Sequence, residues 1–107
     1  MRRAALAVAL AATAFTANAQ DGSGNPEAGR VFAREVCTPC HAVTTDQVSP
    51  RRFVIGLDFQ AIANSAGMTA TALRAFLTTP HPKMPNLILT PQESADVIAY
   101  ILSLRGP

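Results

Sequence analysis

The sequence predicts an all-α domain of three to five short helices. Helix start signals recur at Asn25-Pro26-Glu27, Met68-Thr69 and Thr90-Pro91-Gln92-Glu93, each leading into residues with helical apolar spacing. No two segments read as a strand pair, and there is no internal repeat or low-complexity block. A pentapeptide with unusual chemistry, Cys37-Thr38-Pro39-Cys40-His41, directly follows the first helical segment.

Asn25 can cap the first helix, Pro26 takes its first position, and Glu27 lies at the positive end of the dipole. This helix is expected from Pro26 to about Val36, with Val31, Phe32 and Val36 as its apolar face. Ala42 to Arg52 lacks a helical period, and Thr44-Thr45-Asp46 and Ser49-Pro50 read as loop. Phe53 to Leu57 is an apolar run too isolated to build a sheet. A short helix is expected over Asp58 to Asn64, with Phe59, Ile62 and Ala63 on one side, and Gly67 marks a break. Thr69 caps the next helix, which runs to about Leu77, with Met68 and Leu73 at the positions of a hydrophobic staple. Pro80, Pro82 and Pro85 then remove donors and fix the backbone, so Thr78 to Pro85 is loop. Asn86 to Leu89 continues extended. Thr90 to Glu93 is a capping box with proline at the first helical position. The last helix should run from Pro91 to about Leu104, with Val97, Ile98, Ile101 and Leu102 inward and Gly106 past its end.

Thiols three residues apart lie on the same side of one helical turn. There each can form a thioether to a vinyl group of one haem, and the histidine that follows is held beneath the iron as an axial ligand. C-x-x-C-H is the pattern of c-type haem attachment. Cys37 and Cys40 could otherwise form a structural disulfide, a redox pair or half a zinc site. Zinc needs two more soft ligands, and the chain has only two histidines, His41 and His81. A thioredoxin-like pair needs a βαβ setting, which is not present. The adjacent His41, the helical pattern and an export signal together select one covalently bound haem c.

That signal is at the start of the chain. Met1-Arg2-Arg3 is a positive lead, and the apolar run from Ala4 to Phe15 is shorter than the about 20 residues that span a bilayer. Ala17-Asn18-Ala19 fits the small-residue cleavage rule. Residues 1–19 are therefore read as a cleavable signal peptide and 20–107 as the domain, with Gln20 as the mature N-terminus and the periplasm as destination. Of nine Lys and Arg residues two are Arg2 and Arg3, and the other seven are matched by seven Asp and Glu. No basic stripe is left that would suggest nucleic acid. The chain has no tryptophan and only 6% aromatics, so in a domain this small a porphyrin would supply much of the missing core.

Haem iron held by one histidine needs a sixth ligand, and that ligand decides function. The candidates are Met84, His81 and Met68. Met84 lies in a loop stiffened by Pro82 and Pro85, the rigidity a weak thioether ligand needs. Met68 is explained by the staple, and a methionine at such a place is usually core. His81 would bind more strongly but stands at the loop entrance between two prolines, where a solvent-facing side chain is expected. Met84 is therefore the expected ligand.

The chain after residue 19 resembles the class I c-type cytochromes, in particular the small bacterial single-haem type. The matching pieces are Gly29, the pentapeptide Cys37 to His41, Lys83-Met84-Pro85-Asn86, and Ala95-Asp96-Val97-Ile98-Ala99-Tyr100-Ile101. The resemblance implies a cytochrome c-like fold, iron held by His41 and Met84, and a close crossing of the first and last helices that sets Gly29 against Tyr100. The chain departs from the family in two places. The family usually orients the ligand histidine with the carbonyl of a proline in the following loop; here Pro50 is followed by Phe53-Val54-Ile55-Gly56-Leu57, which leaves the orienting carbonyl open. The aromatic usual in the first helix is here Phe32, one place early.

Two protein ligands leave the iron no open site for a substrate, but an electron can still pass through the exposed haem edge. A soft neutral sulfur favours the ferrous state. The sequence is thus read as an exported monohaem electron carrier, not an enzyme, serving respiratory or dehydrogenase partners through small transient contacts as a monomer. Lys83, Arg51 and Arg52 could guide acidic partners, and Arg51, Arg52, Thr78 and Asn64 are candidates for the haem propionates. The alternatives are a haem subunit or dedicated electron acceptor of one dehydrogenase, and a five-coordinate haem enzyme or gas-binding protein. No distal histidine–arginine arrangement supports the last of these.

Overall fold

The computed structural model describes residues 24–47, 56–84 and 87–107. The expected signal peptide, Pro50, Arg51, Arg52, Phe53 to Ile55, Pro85 and Asn86 lie outside the described residues. Four helices follow in order: α1 (Pro26–Val36), α2 (Phe59–Ala63), α3 (Ala70–Thr78) and α4 (Pro91–Ser103). No strand occurs among the described residues, and none of the helices there is long and apolar enough to cross a membrane. The architecture is the expected all-α one, and every helix lies within a residue or so of its expected bounds.

Local chemistry sets those bounds. The Asn25 side chain accepts hydrogen bonds from the backbone N–H groups of Glu27 (2.9 Å) and Ala28 (3.2 Å), satisfying donors that the first turn of α1 leaves free. Thr69 does the same for α3 by accepting from the Ala72 N–H. At α4 the capping box is complete: Thr90 Oγ1 accepts from the Glu93 N–H at 3.1 Å, and Glu93 Oε2 accepts from the Thr90 N–H at 2.8 Å. Each cap contributes about 1 kcal/mol.

The core forms where α1 crosses α4. Gly29 lies directly on α4: a Cβ there would come 2.0 Å from the Asp96 carbonyl oxygen and 2.8 Å from Tyr100 Cβ. This is the predicted close contact, with the Asp96 backbone nearer than Tyr100. Ala33, one turn on, is fully buried, as is Val43, and Val97, Ile98, Tyr100 and Ile101 of α4 pack with them. The crossing is clasped at its start by Asn25, whose backbone N–H donates to Asp96 Oδ1 at 2.8 Å. The Tyr100 hydroxyl donates to the Val43 carbonyl, and burial pushes its phenol pKa up, which keeps the O–H that this bond needs.

One part of the expected pattern is corrected. Val31 is 49% exposed, because the face of α1 turned to α4 carries Gly29 and Ala33. Two residues from Gly29, Val31 is turned by roughly 200° at about 100° per residue. Close helix approach needs small residues at the crossing, so larger ones flank it. Phe32 is such a flank, partly buried against the core; its early position leaves Ala33 to fill the contact.

After α4 the chain returns to α2. Arg105 donates from Nε to the Ala63 carbonyl and from Nη2 to the Met68 carbonyl. The Asn64 side chain donates to the Gly106 carbonyl and accepts from its N–H, both at 2.9 Å. Asn64, proposed above for a propionate, is thus committed to the chain end.

Candidate haem site

The pentapeptide continues α1 as a turn. Cys37 caps the helix, its N–H donating to the Ala33 carbonyl at 2.9 Å, and Pro39, which has no N–H, stops the ladder. The N–H groups of Cys40 (3.2 Å) and His41 (3.0 Å) both donate to the Cys37 carbonyl, and Thr38 Oγ1 donates to the Arg34 carbonyl at 2.8 Å. Both cysteines are free and partly buried. Burial first, and the neighbouring Cys40 second, push the Cys37 thiol up to about 11. It is therefore neutral at pH 7, the opposite of the low-pKa thiolate of a redox pair. Among the described residues, no group of three or more His, Cys, Asp or Glu side chains could hold a metal ion.

His41 is oriented from the segment that enters α2. Its Nδ1 lies 2.6 Å from the Leu57 carbonyl oxygen. A carbonyl only accepts, so Nδ1 carries the hydrogen, and Nε2 keeps the lone pair a metal requires. The open question of which carbonyl orients this ring is answered by Leu57. Its neighbour Gly56 is packed on the imidazole: a Cβ there would fall 2.2 Å from Cε1, 2.5 Å from Nδ1 and 2.6 Å from Nε2. The Gly56 N–H donates to the Cys40 carbonyl at 3.3 Å and the Phe59 N–H to Ala42 at 2.9 Å, which aligns this segment with the pentapeptide. The Phe59 ring stands 5.3 Å from the imidazole, tilted by 55°. Sequence reasoning treated Gly56 only as part of an apolar run. A lone glycine within such a run is itself a sign of close backbone approach.

Cys37, Cys40, His41 and Met84 line one cavity of about 660 Å³, within the size range of cofactor sites. Its other walls are largely apolar and include Ile62, Met68, Leu73 and Ile101. Met68 packs against the core, in keeping with the core role expected for it. His81 is half-buried, not solvent-facing: its ring stacks on Phe76, with centroids 3.7 Å apart and planes 17° apart. Its Nε2 lies 2.9 Å from the Phe76 carbonyl oxygen. Thr78 lines a second, smaller cavity but spends its hydroxyl on the carbonyls of Arg74 and Ala75. Two free thiols, a histidine nitrogen with its lone pair available and a thioether around a large apolar space form a donor set that suits a covalently attached haem.

The comparisons agree with that chemistry. The cytochrome c family pattern matches residues 26–105. Cytochrome c-552 of Bradyrhizobium diazoefficiens is 33% identical over 105 residues, which cover 98% of this chain and 95% of that protein. No solved structure matches the chain. The match includes all four helices and the pentapeptide between them, so this chain belongs to the cytochrome c family, as an all-α haem electron carrier with covalently bound haem c.

Proposed function

We propose that the protein is an exported single-haem electron carrier whose haem is joined through Cys37 and Cys40 and whose iron is held by His41 and Met84. The observation that carries this reading is that all four residues line one cavity, while the competing ligand His81 has its Nε2 committed to Phe76. The haem, when bound, supplies a one-electron change at iron. His41 and Met84 would be the residues that hold it. Leu57 fixes the His41 ring, and Met84 offers a neutral sulfur that carries no proton to be moved. No substrate position is then left at the metal, which favours a carrier over an enzyme.

Partners meet this protein at an apolar rim. Leu57 (65% exposed) and Phe76 (47%) border the main cavity, and Ile88 (99%) borders the adjoining one. Exposed apolar side chains with few charges suit contacts that form and dissolve quickly. Lys83 beside them can steer acidic surfaces. Residues 1–19 act in this reading as a signal peptide, and the working compartment is the periplasm.

Two measurements test the proposal on protein made together with haem-attachment machinery. The oxidised protein should show the weak long-wavelength sulfur-to-iron band, and Met84→Ala should abolish it. Survival of the band in that variant, with loss in Met68→Ala, would move the ligand to Met68. Haem that acid and organic solvent extract would end the thioether assignment. The exported protein should begin at Gln20; recovery in the cytoplasm beginning at Met1 would end the export reading. Co-purification with a dehydrogenase at fixed stoichiometry would favour a bound subunit over a diffusing carrier.

A further inference from the structure

We propose that His81 is a positioning residue that braces the Met84 loop against the end of α3. The inference rests on the reading of Met84 as sixth ligand and adds what holds that ligand in place. Pro80 and Pro82 flank His81 and have no N–H to donate. Thr79 is still tied to α3, its N–H donating to the Phe76 carbonyl at 3.2 Å and its Oγ1 to Ala75 at 2.6 Å. Among the described residues, the hydrogen bond that anchors residues 80–84 to the rest of the domain is the one from His81 Nε2 to the Phe76 carbonyl. The same residue supplies the ring stack on Phe76.

His81 and Met84 also stand together in the cavity linings. The main one, about 660 Å³, and a second of about 370 Å³ share Phe76, His81 and Met84 in their linings. Proline stiffness restricts the loop's own backbone, but it does not fix the loop's position relative to the helices. The His81–Phe76 contact does that, from the last full turn of α3. It also engages one ring nitrogen of a histidine that lines the same cavity as Met84. The Phe76 carbonyl accepts the Nε2 hydrogen, so that nitrogen has no free lone pair.

Added imidazole reads the brace directly, because it binds the iron only when Met84 leaves. His81→Ala should bind imidazole about tenfold more tightly than the parent, from the loss of one hydrogen bond and one ring contact. His81→Gln, which keeps a donor but no ring, and Phe76→Leu, which keeps the carbonyl but no ring, should each give a smaller increase, about threefold. Thr69→Ala, which uncaps the far end of α3, lowers global stability and should leave imidazole affinity unchanged. Parent-like affinity in His81→Ala overturns the brace, as does an equal gain in Thr69→Ala, which would mean general loosening. A sulfur-to-iron band that survives Met84→Ala would instead overturn the ligand assignment beneath it.

Discussion

Gly56→Ala is expected to reduce the yield of protein with correctly ligated haem by about ten- to a hundredfold, the usual cost of disturbing the group that orients a metal-binding histidine. The added methyl would sit 2.2 Å from His41 Cε1, far inside van der Waals contact. The imidazole cannot swing aside cheaply, since its Nδ1 is bonded to Leu57 and its ring lies by Phe59. Either the ring turns, losing the Leu57 bond that fixes its orientation, or the 56–59 segment retreats and takes Leu57 with it. Both outcomes loosen the same ligand. Covalent haem per protein, read from absorbance after acid–organic extraction, and the spin state of the oxidised iron measure the effect. Parent-like values for both would show that Gly56 is not tied to ligand geometry.

Gly29→Ala should act on stability and leave the ligand set alone. Its methyl would meet the Asp96 carbonyl oxygen at 2.0 Å. That atom belongs to the backbone of α4 and cannot rotate out of the way, so the helices must part. Overpacking of this kind costs up to about 3 kcal/mol. Alanine is favoured over glycine in a helix interior by about 1 kcal/mol, so the clash wins by about 2 kcal/mol. In a domain of this size that lowers the melting temperature by roughly 8–16 °C. Thermal unfolding followed by circular dichroism checks it; an unchanged or raised midpoint would mean that α1 and α4 tolerate a wider crossing.

The helices were legible in the sequence because their ends are set by neighbours. Asn25, Thr69 and Thr90 each satisfy donors two or three residues away, and such signals need no tertiary context. The pentapeptide was legible for the same reason, since its chemistry is written in five consecutive residues. What escaped was decided across the fold. Val31 reads as core from its apolar character but is turned outward by the need for small residues against α4. Gly56 and Leu57 owe their roles to His41, sixteen residues before Leu57. His81 reads as a loop histidine until the end of α3 places Phe76 under its ring. Asn64 could not be matched with Gly106 before α4 had brought the chain end back across α2.

The clasp between Asn25 and Asp96 spans 71 positions, so it ties together the two ends of the described domain. Joining the two ends of the domain closes a long loop, and long closures are slow. Cys37 and Cys40 emerge early, beside the first helix, whereas Val97 and Ile101 of the opposite wall arrive with the last. Until the ends meet, Val97 and Ile101 are missing from the lining that the thiols share with them. The crossing of α1 and α4 is in this sense a wall of the site as well as a core.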